Sequence, residues 1–111
     1  MTPRRYSVEW MEVARYDLES IVAHLLVEAP QRAEKIVDRI IDKGESLLRL
    51  PQRGRVVPEL REVGERRWLE VQEPPWRIIY RVAGKVVEIH AVLDSRRDLA
   101  DVLRERIVFS G

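Results

Sequence analysis

Between residues 33 and 48 apolar side chains return every three or four positions, through Ala33, Ile36, Val37, Ile40, Ile41, Gly44, Leu47 and Leu48. That spacing stacks them on one face of an α-helix, which must then bury a continuous stripe. A second stripe precedes it, through Ala14, Leu18, Ile21, Val22 and Leu25. Between the two lies "EAP", residues 28–30, and Pro30 suits the first turn of a helix, where its missing N–H leaves no bond unmade. The helices are expected over about 11–28 and from there to about residue 50, before Pro51. So short a connection predicts an antiparallel helical hairpin, and its joint apolar face needs a cover from elsewhere in the chain.

The second half of the chain supplies that cover. "PQRGRVVPEL", residues 51–60, reads as an irregular connector with room for a short extended piece. Three strands follow at about 66–73, 76–83 and 85–93, separated by "PP" and by a tight turn at Ala83 and Gly84. "RRYSVE" at 4–9 alternates as a short first strand, and residues 98–106 form a short amphipathic helix through Leu99, Val102 and Leu103. The fold class is therefore α+β: an N-terminal strand and a two-helix antiparallel hairpin packed on a mainly antiparallel sheet of about four strands, with a short C-terminal helix. At 111 residues the chain is read as a single domain, 1–111.

With Ala83 and Gly84 as the loop, Val82 pairs with Lys85, Tyr80 with Val87, Ile78 with Ile89 and Trp76 with Ala91, which makes that face the one under the helices. The opposite, open face then holds Arg81, Ile79 and Arg77, with Arg77 directly across from His90. Trp76 is core in this register, and Trp10 is a staple over the first helix.

Composition narrows the chemistry. There is no cysteine, and two isolated histidines do not make a metal cluster, so neither metal nor cofactor is expected. A net charge of +1 gives the whole molecule no strong pull on nucleic acid, and leaves such a role to local basic patches at residues 49–67 and at Arg96 and Arg97. No window approaches the apolar length of a membrane span, and "MTPRRYSVEW" lacks the apolar core of a signal peptide, so the protein is expected in the cytoplasm.

The order strand, helix, helix, connector, three strands and short helix resembles the RelE/ParE superfamily of bacterial toxins. The carriers are "VEWMEVARYDLESI" at 8–21, "LPQRGRVVPELR" at 50–61, "WRIIYRV" at 76–82 and "HAVLDSRRDLADVL" at 90–103. The resemblance implies the toxin of a type II toxin–antitoxin pair, held inactive by a small ParD- or RelB-like antitoxin, with a homodimer allowed. Two mechanisms occur in the superfamily: RelE-like members cut messenger RNA in the ribosome, and ParE-like members poison DNA gyrase without catalysing a reaction.

Cutting RNA through its own 2′-hydroxyl needs a base, a cation for the phosphate and an acid for the leaving oxygen. In the nuclease reading the resemblance implies Arg77 as the phosphate-stabilising arginine, Arg96 as a second catalytic arginine and Glu59 of "VPEL" as the base. The lysines that RelE-like enzymes use as base fall on Trp68 and Glu70, and their final-helix tyrosine falls near Val102 or Leu103. Histidine titrates near neutrality, which leaves His90 as the candidate acid. With base and acid missing or replaced, the ParE-like reading is preferred: Arg77, Arg81, His90, Arg96 and Arg97 form a partner-binding surface for gyrase or for acidic residues of the antitoxin. The alternative is a RelE-like, ribosome-dependent endoribonuclease.

Overall fold

The structure, a computed structural model, describes residues 5–97 together with residues 99, 100, 102, 104 and 106. Its elements run β1 (Ser7–Trp10), α1 (Glu12–Glu28), α2 (Ala33–Glu45), β2 (Arg55–Val56), α3 (Pro58–Arg61), β3 (Leu69–Glu73), β4 (Trp76–Ala83) and β5 (Val86–Asp94). Residues 99, 100, 102, 104 and 106 are helical, while Leu103 of the expected C-terminal stripe lies outside the described residues. The α+β architecture is as the sequence predicts, with five strands in place of about four. The fifth is β2, two residues of the connector whose Arg55 and Val56 pair with Glu70 and Leu69. The sheet order is β1-β5-β4-β3-β2, with β1 parallel to β5 and every other pair antiparallel.

The helical hairpin covers one face of the sheet. Ala14, Ile21 and Leu25 of α1 and Ala33 and Ile40 of α2 pack on Leu69, Trp76, Ile78, Tyr80, Val87, Ile89 and Val92. Pro30 stands in the turn before α2 rather than in its first turn, and a 3-10 turn at Ser46–Leu48 follows α2. Trp10 packs against α2: its Nε1 donates to Glu45 Oε1 at 2.9 Å, and its ring lies where a Cβ at residue 44 would stand, 2.5 Å from the ring's Cζ2. This contact explains why the last turn of an otherwise apolar stripe on α2 carries a glycine.

Register is where the structure departs most from expectation. The β4–β5 loop is Gly84 and Lys85, not Ala83 and Gly84, so Ala83 pairs with Val86, Val82 with Val87 and Tyr80 with Ile89. Gly84 has φ +62°, the conformation that a tight hairpin turn of the II′ kind demands of its first loop residue and that glycine accepts freely. A second departure follows at His90, which has no cross-strand partner: Tyr80 faces Ile89, but Ile79 faces Ala91. The extra residue makes a β-bulge and reverses the alternation beyond it. Val87 and Ile89 therefore point under the helices, as does Val92, whereas Ala91 and Leu93 point to the other face. Arg77 consequently lies opposite Leu93, not His90.

That other face is not open. Val57, Leu60, Ile79, Ala91, Leu93 and Leu99 form a second buried cluster, flanked by Trp68 and Val102, so α3 and the C-terminal helical residues cover it. Two polar ties anchor segments around the sheet. From the helix side the Tyr80 hydroxyl reaches the connector, donating to Pro51 O at 2.8 Å and accepting from Gly54 N at 2.9 Å. Beyond Ile89 no strand among the described residues pairs with the outer edge of β5, and Asp17 of α1 takes such a strand's place, accepting from Val92 N at 2.9 Å and from both Arg106 terminal nitrogens at 2.7 Å.

Gly44→Ala is expected to lower stability by about 1–3 kcal/mol through overpacking against Trp10 and Ile89, outweighing the roughly 1 kcal/mol that alanine gains in helix propensity. Urea denaturation reads the difference, and a more stable variant would show that the Trp10 ring yields.

Candidate functional site

Arg77 enters the second face from the middle of the sheet. β3 and β4 are joined through Pro74 and Pro75, and pairing Glu73 with Trp76 and Gln72 with Arg77 puts Glu70 one step diagonally from Arg77 on the same face. From β2, Arg55 lies directly opposite Glu70. α3 delivers Glu59 from above. These four side chains make one chain of ion pairs.

Arg77 Nε donates to Glu70 Oε2 at 2.5 Å, while Nη1 and Nη2 donate to Glu59 Oε2 and Oε1 at 2.8 Å each. The other oxygen of Glu70 accepts from Arg55 Nε at 2.5 Å. The Glu70 side chain is fully buried and that of Arg77 is 8% exposed. Burial disfavours charge on Glu59, but its bonds to Arg77 and the charges of Arg77 and Arg55 prevail and hold its pKa below the ordinary range. Burial likewise opposes charge on Arg77, and the hydrogen bonds from Glu59 and Glu70 overcome it, raising its pKa. Two cations and two anions alternate along this chain, Arg55–Glu70–Arg77–Glu59, so that its formal charges cancel. No buried side-chain polar atom among the described residues lacks a partner.

The expected placement of Arg77 on an open face is thus corrected. The bulge and α3 bury it, and carboxylates take the donors that a phosphate would need. Glu59 does meet Arg77, but as its fork partner. Both of its oxygens are occupied and its pKa is shifted away from neutrality, the opposite of what a general base requires.

The other basic residues stay near the surface. Arg81 Nε donates to Glu88 Oε1 at 2.8 Å, and its guanidinium lies 5.4 Å from the centre of the Trp68 ring. His90 Nε2 is 3.1 Å from the same Glu88 oxygen, and its ring meets Trp68 edge-on at 4.7 Å. Hydrogen bonds from Arg81, then His90, hold the Glu88 pKa low. Arg81 and His90 are therefore brought together, through a carboxylate. Arg96 is 77% exposed and doubly bonded to Asp94, whose pKa it lowers. Arg97 is exposed, with its backbone N–H on Asp94 O. Trp68 flanks the second cluster and Trp76 lies in the first. Among the described residues no group of three or more His, Cys, Asp or Glu side chains is placed to hold a metal ion, and no helix is long and apolar enough to cross a membrane.

A family model described as the ParE toxin of the type II toxin–antitoxin system parDE matches residues 8–99. The chain belongs to the ParE toxin family. Among solved structures it is similar to a chain of the chromosomal ParDE toxin–antitoxin system from P. aeruginosa, at 23% identity and TM-score 0.71, covering 83% of this chain and 98% of that one. It is also similar to a chain of the RelBE2 toxin–antitoxin complex from Mycobacterium tuberculosis, at 22% identity and TM-score 0.60, covering 84% and 94%. Both likenesses are of fold. No curated protein sequence matches the chain.

In this member of the ParE family, Glu70 and Arg55 are the site residues that sequence reasoning missed. A signal for Glu70 was present: taking Pro74 and Pro75 as a two-residue loop pairs Gln72 with Arg77 and brings Glu70 alongside. Arg55 depends on β2, which is too short to carry a pattern.

Arg77→Ala is expected to destabilise the protein by about 3–5 kcal/mol, because it strands Glu70 as a buried, half-paired carboxylate; chemical denaturation measures the loss, and near-native stability would show that water replaces the guanidinium. Acid should act through Glu59. A carboxylate whose folded pKa lies below its ordinary value of about 4.5 contributes stability above that pH and loses it as pH falls through the folded value. Glu59→Gln should therefore be less stable than the native protein at neutral pH and should show a shallower decline below about pH 4.5 in thermal melts.

Proposed function

We propose that this chain is the toxin of a type II toxin–antitoxin pair, that it inhibits DNA gyrase by binding without catalysing a reaction, and that a cognate antitoxin neutralises it in the cytoplasm. The observation that carries the choice of mechanism is the charge-balanced Glu59–Arg77–Glu70–Arg55 network. A nuclease of the RelE kind needs a free cation for the phosphate and a base able to take a proton. Here the corresponding arginine is neutralised from two sides, and the corresponding glutamate is held as a low-pKa ion-pair partner. Arg77 acts through the fold in this reading. Contact with gyrase or antitoxin falls to Arg81, His90, Arg96 and Arg97, whose side chains reach solvent on the β4–β5 hairpin and the turn after β5. Rim cations of this sort steer an acidic partner and speed its association.

Induced expression without antitoxin is expected to arrest growth, raise an SOS reporter and produce gyrase-dependent DNA breaks. Codon-dependent cuts in ribosome-bound messages, without DNA breaks, would overturn the gyrase reading in favour of the nuclease. Arg96→Ala combined with Arg97→Ala should weaken the arrest while leaving the melting temperature unchanged, since both residues are exposed.

A further inference from the structure

The basic stretch at 49–67 divides in the structure. In its second part Arg67 is held by Glu65 through bonds of 2.9 and 2.8 Å, and Arg61 and Arg66 share their segment with Glu62. In its first part Arg49, Arg53 and Arg55 lie within residues 46–58, where no acidic residue occurs. β2 pairs only with Leu69 and Glu70, so it leaves the edge of β3 uncovered at Val71 and Gln72, and a notch of about 570 Å3 opens there. Lys43 of α2 borders the notch on one side, and Arg53 and Arg55 border it from the connector. Glu70 is the one carboxylate among the described residues that line it, and Arg55 and Arg77 hold both its oxygens.

Each cation keeps donors for a ligand. Arg55 uses Nε on Glu70, and its side chain is 58% exposed. Arg53 donates one terminal nitrogen to the Ser46 hydroxyl, which itself donates to Lys43 O at 2.6 Å, so that hydroxyl ties Arg53 to the last turn of α2. The Lys43 side chain makes no ion pair or hydrogen bond among the described residues. The dipole of α2 favours a cation at its C-terminus, which accounts for Lys43 alone. Charge also guards an uncovered strand edge against pairing, but either sign serves that purpose, and the uncompensated charge here is all positive. The lining then selects among anions. Val71 is its one apolar side chain larger than glycine's hydrogen among the described residues, so a protein partner finds no pocket for an anchor. None of these residues is aromatic, so an unpaired base finds no ring to stack on. Cations and neutral polar groups without either feature hold a sugar–phosphate backbone and read no sequence. We infer that this notch binds the phosphate backbone of double-stranded nucleic acid, with Lys43, Arg53 and Arg55 each meeting a phosphate. The inference goes beyond the toxin reading, because it needs neither gyrase nor antitoxin.

The test uses the purified whole chain and a fluorescein-labelled DNA duplex of about 20 base pairs, read by fluorescence anisotropy between about 50 and 200 mM salt. Three neutralised phosphates predict a slope of log K against log salt of about −2.7. Lys43→Gln combined with Arg53→Gln should bring the slope to about −0.9 and weaken binding at least about tenfold at about 100 mM salt. Arg61→Gln combined with Arg66→Gln removes as much charge from the other part of the stretch and should leave the slope unchanged, since both residues are exposed away from the notch lining. Circular dichroism checks the fold, and Lys43→Gln alone, expected to reduce the slope by about 0.9, serves if the double variant melts early. A thymidine oligonucleotide, a polyglutamate peptide and inorganic triphosphate represent single strands, acidic protein and small phosphates, and each should bind more weakly than the duplex. No binding of the duplex at the lowest salt, a slope unchanged in the folded Lys43 and Arg53 variants, an equal fall in the Arg61 and Arg66 variant, or tighter binding of any of the three competitors would each overturn the assignment.

Discussion

A guanidinium in the middle of a sheet is costly to bury, and the Arg77 side chain is almost fully removed from water. The fold meets that cost by surrounding it with charge of the opposite sign. Glu59 takes two of its donors and Glu70 a third, and Arg55 balances the second oxygen of Glu70. The four residues come from β2, α3, β3 and β4, so satisfying one cation fixes the positions of four consecutive elements of the second half of the chain. A well-packed apolar cluster of the same volume could be as stable. What the ionic arrangement adds is directionality: the forks must meet at one register and one seating of α3, since each donor has a designated oxygen.

The bulge at His90 makes this arrangement compatible with a two-sided core. A regular β5 would have sent Ala91 and Leu93 under the helices, away from Ile79 on the far face of β4. One unpaired residue reverses the alternation, turns Ala91 and Leu93 outward and gives Val57, Leu60 and Leu99 something to pack against. The same residue places the His90 ring beside Glu88 and Trp68, at the rim of the second cluster. Apolar burial and surface polarity are thus set by one local irregularity.

These features set where this ParE-family chain carries its charge. Its most deeply placed cation is internally neutralised, while cations that reach solvent lie at the hairpin, at the turn after β5 and along α2. Charge is therefore spent inside on holding the sheet together and presented outside at several separated places. That distribution agrees with an overall charge close to neutral, in which local patches decide what is attracted.

The sequence by itself determined the long elements and the inward faces of both helices and of β4. Helical periodicity marked both long helices, and period-two alternation assigned Trp76, Ile78, Tyr80 and Val82 to the helix side of the sheet, because these patterns depend on backbone geometry within one segment. The motif order also identified the superfamily. Only the tertiary structure decided what Arg77 does. Its environment depends on the loop that Gly84 selects, on a bulge at a residue whose sequence carries no mark of it, and on a two-residue strand and a four-residue helix too short to show a period. Each moves a partner across or along the sheet by a residue or two, and at that scale an arginine passes from an exposed binding group to a buried keystone.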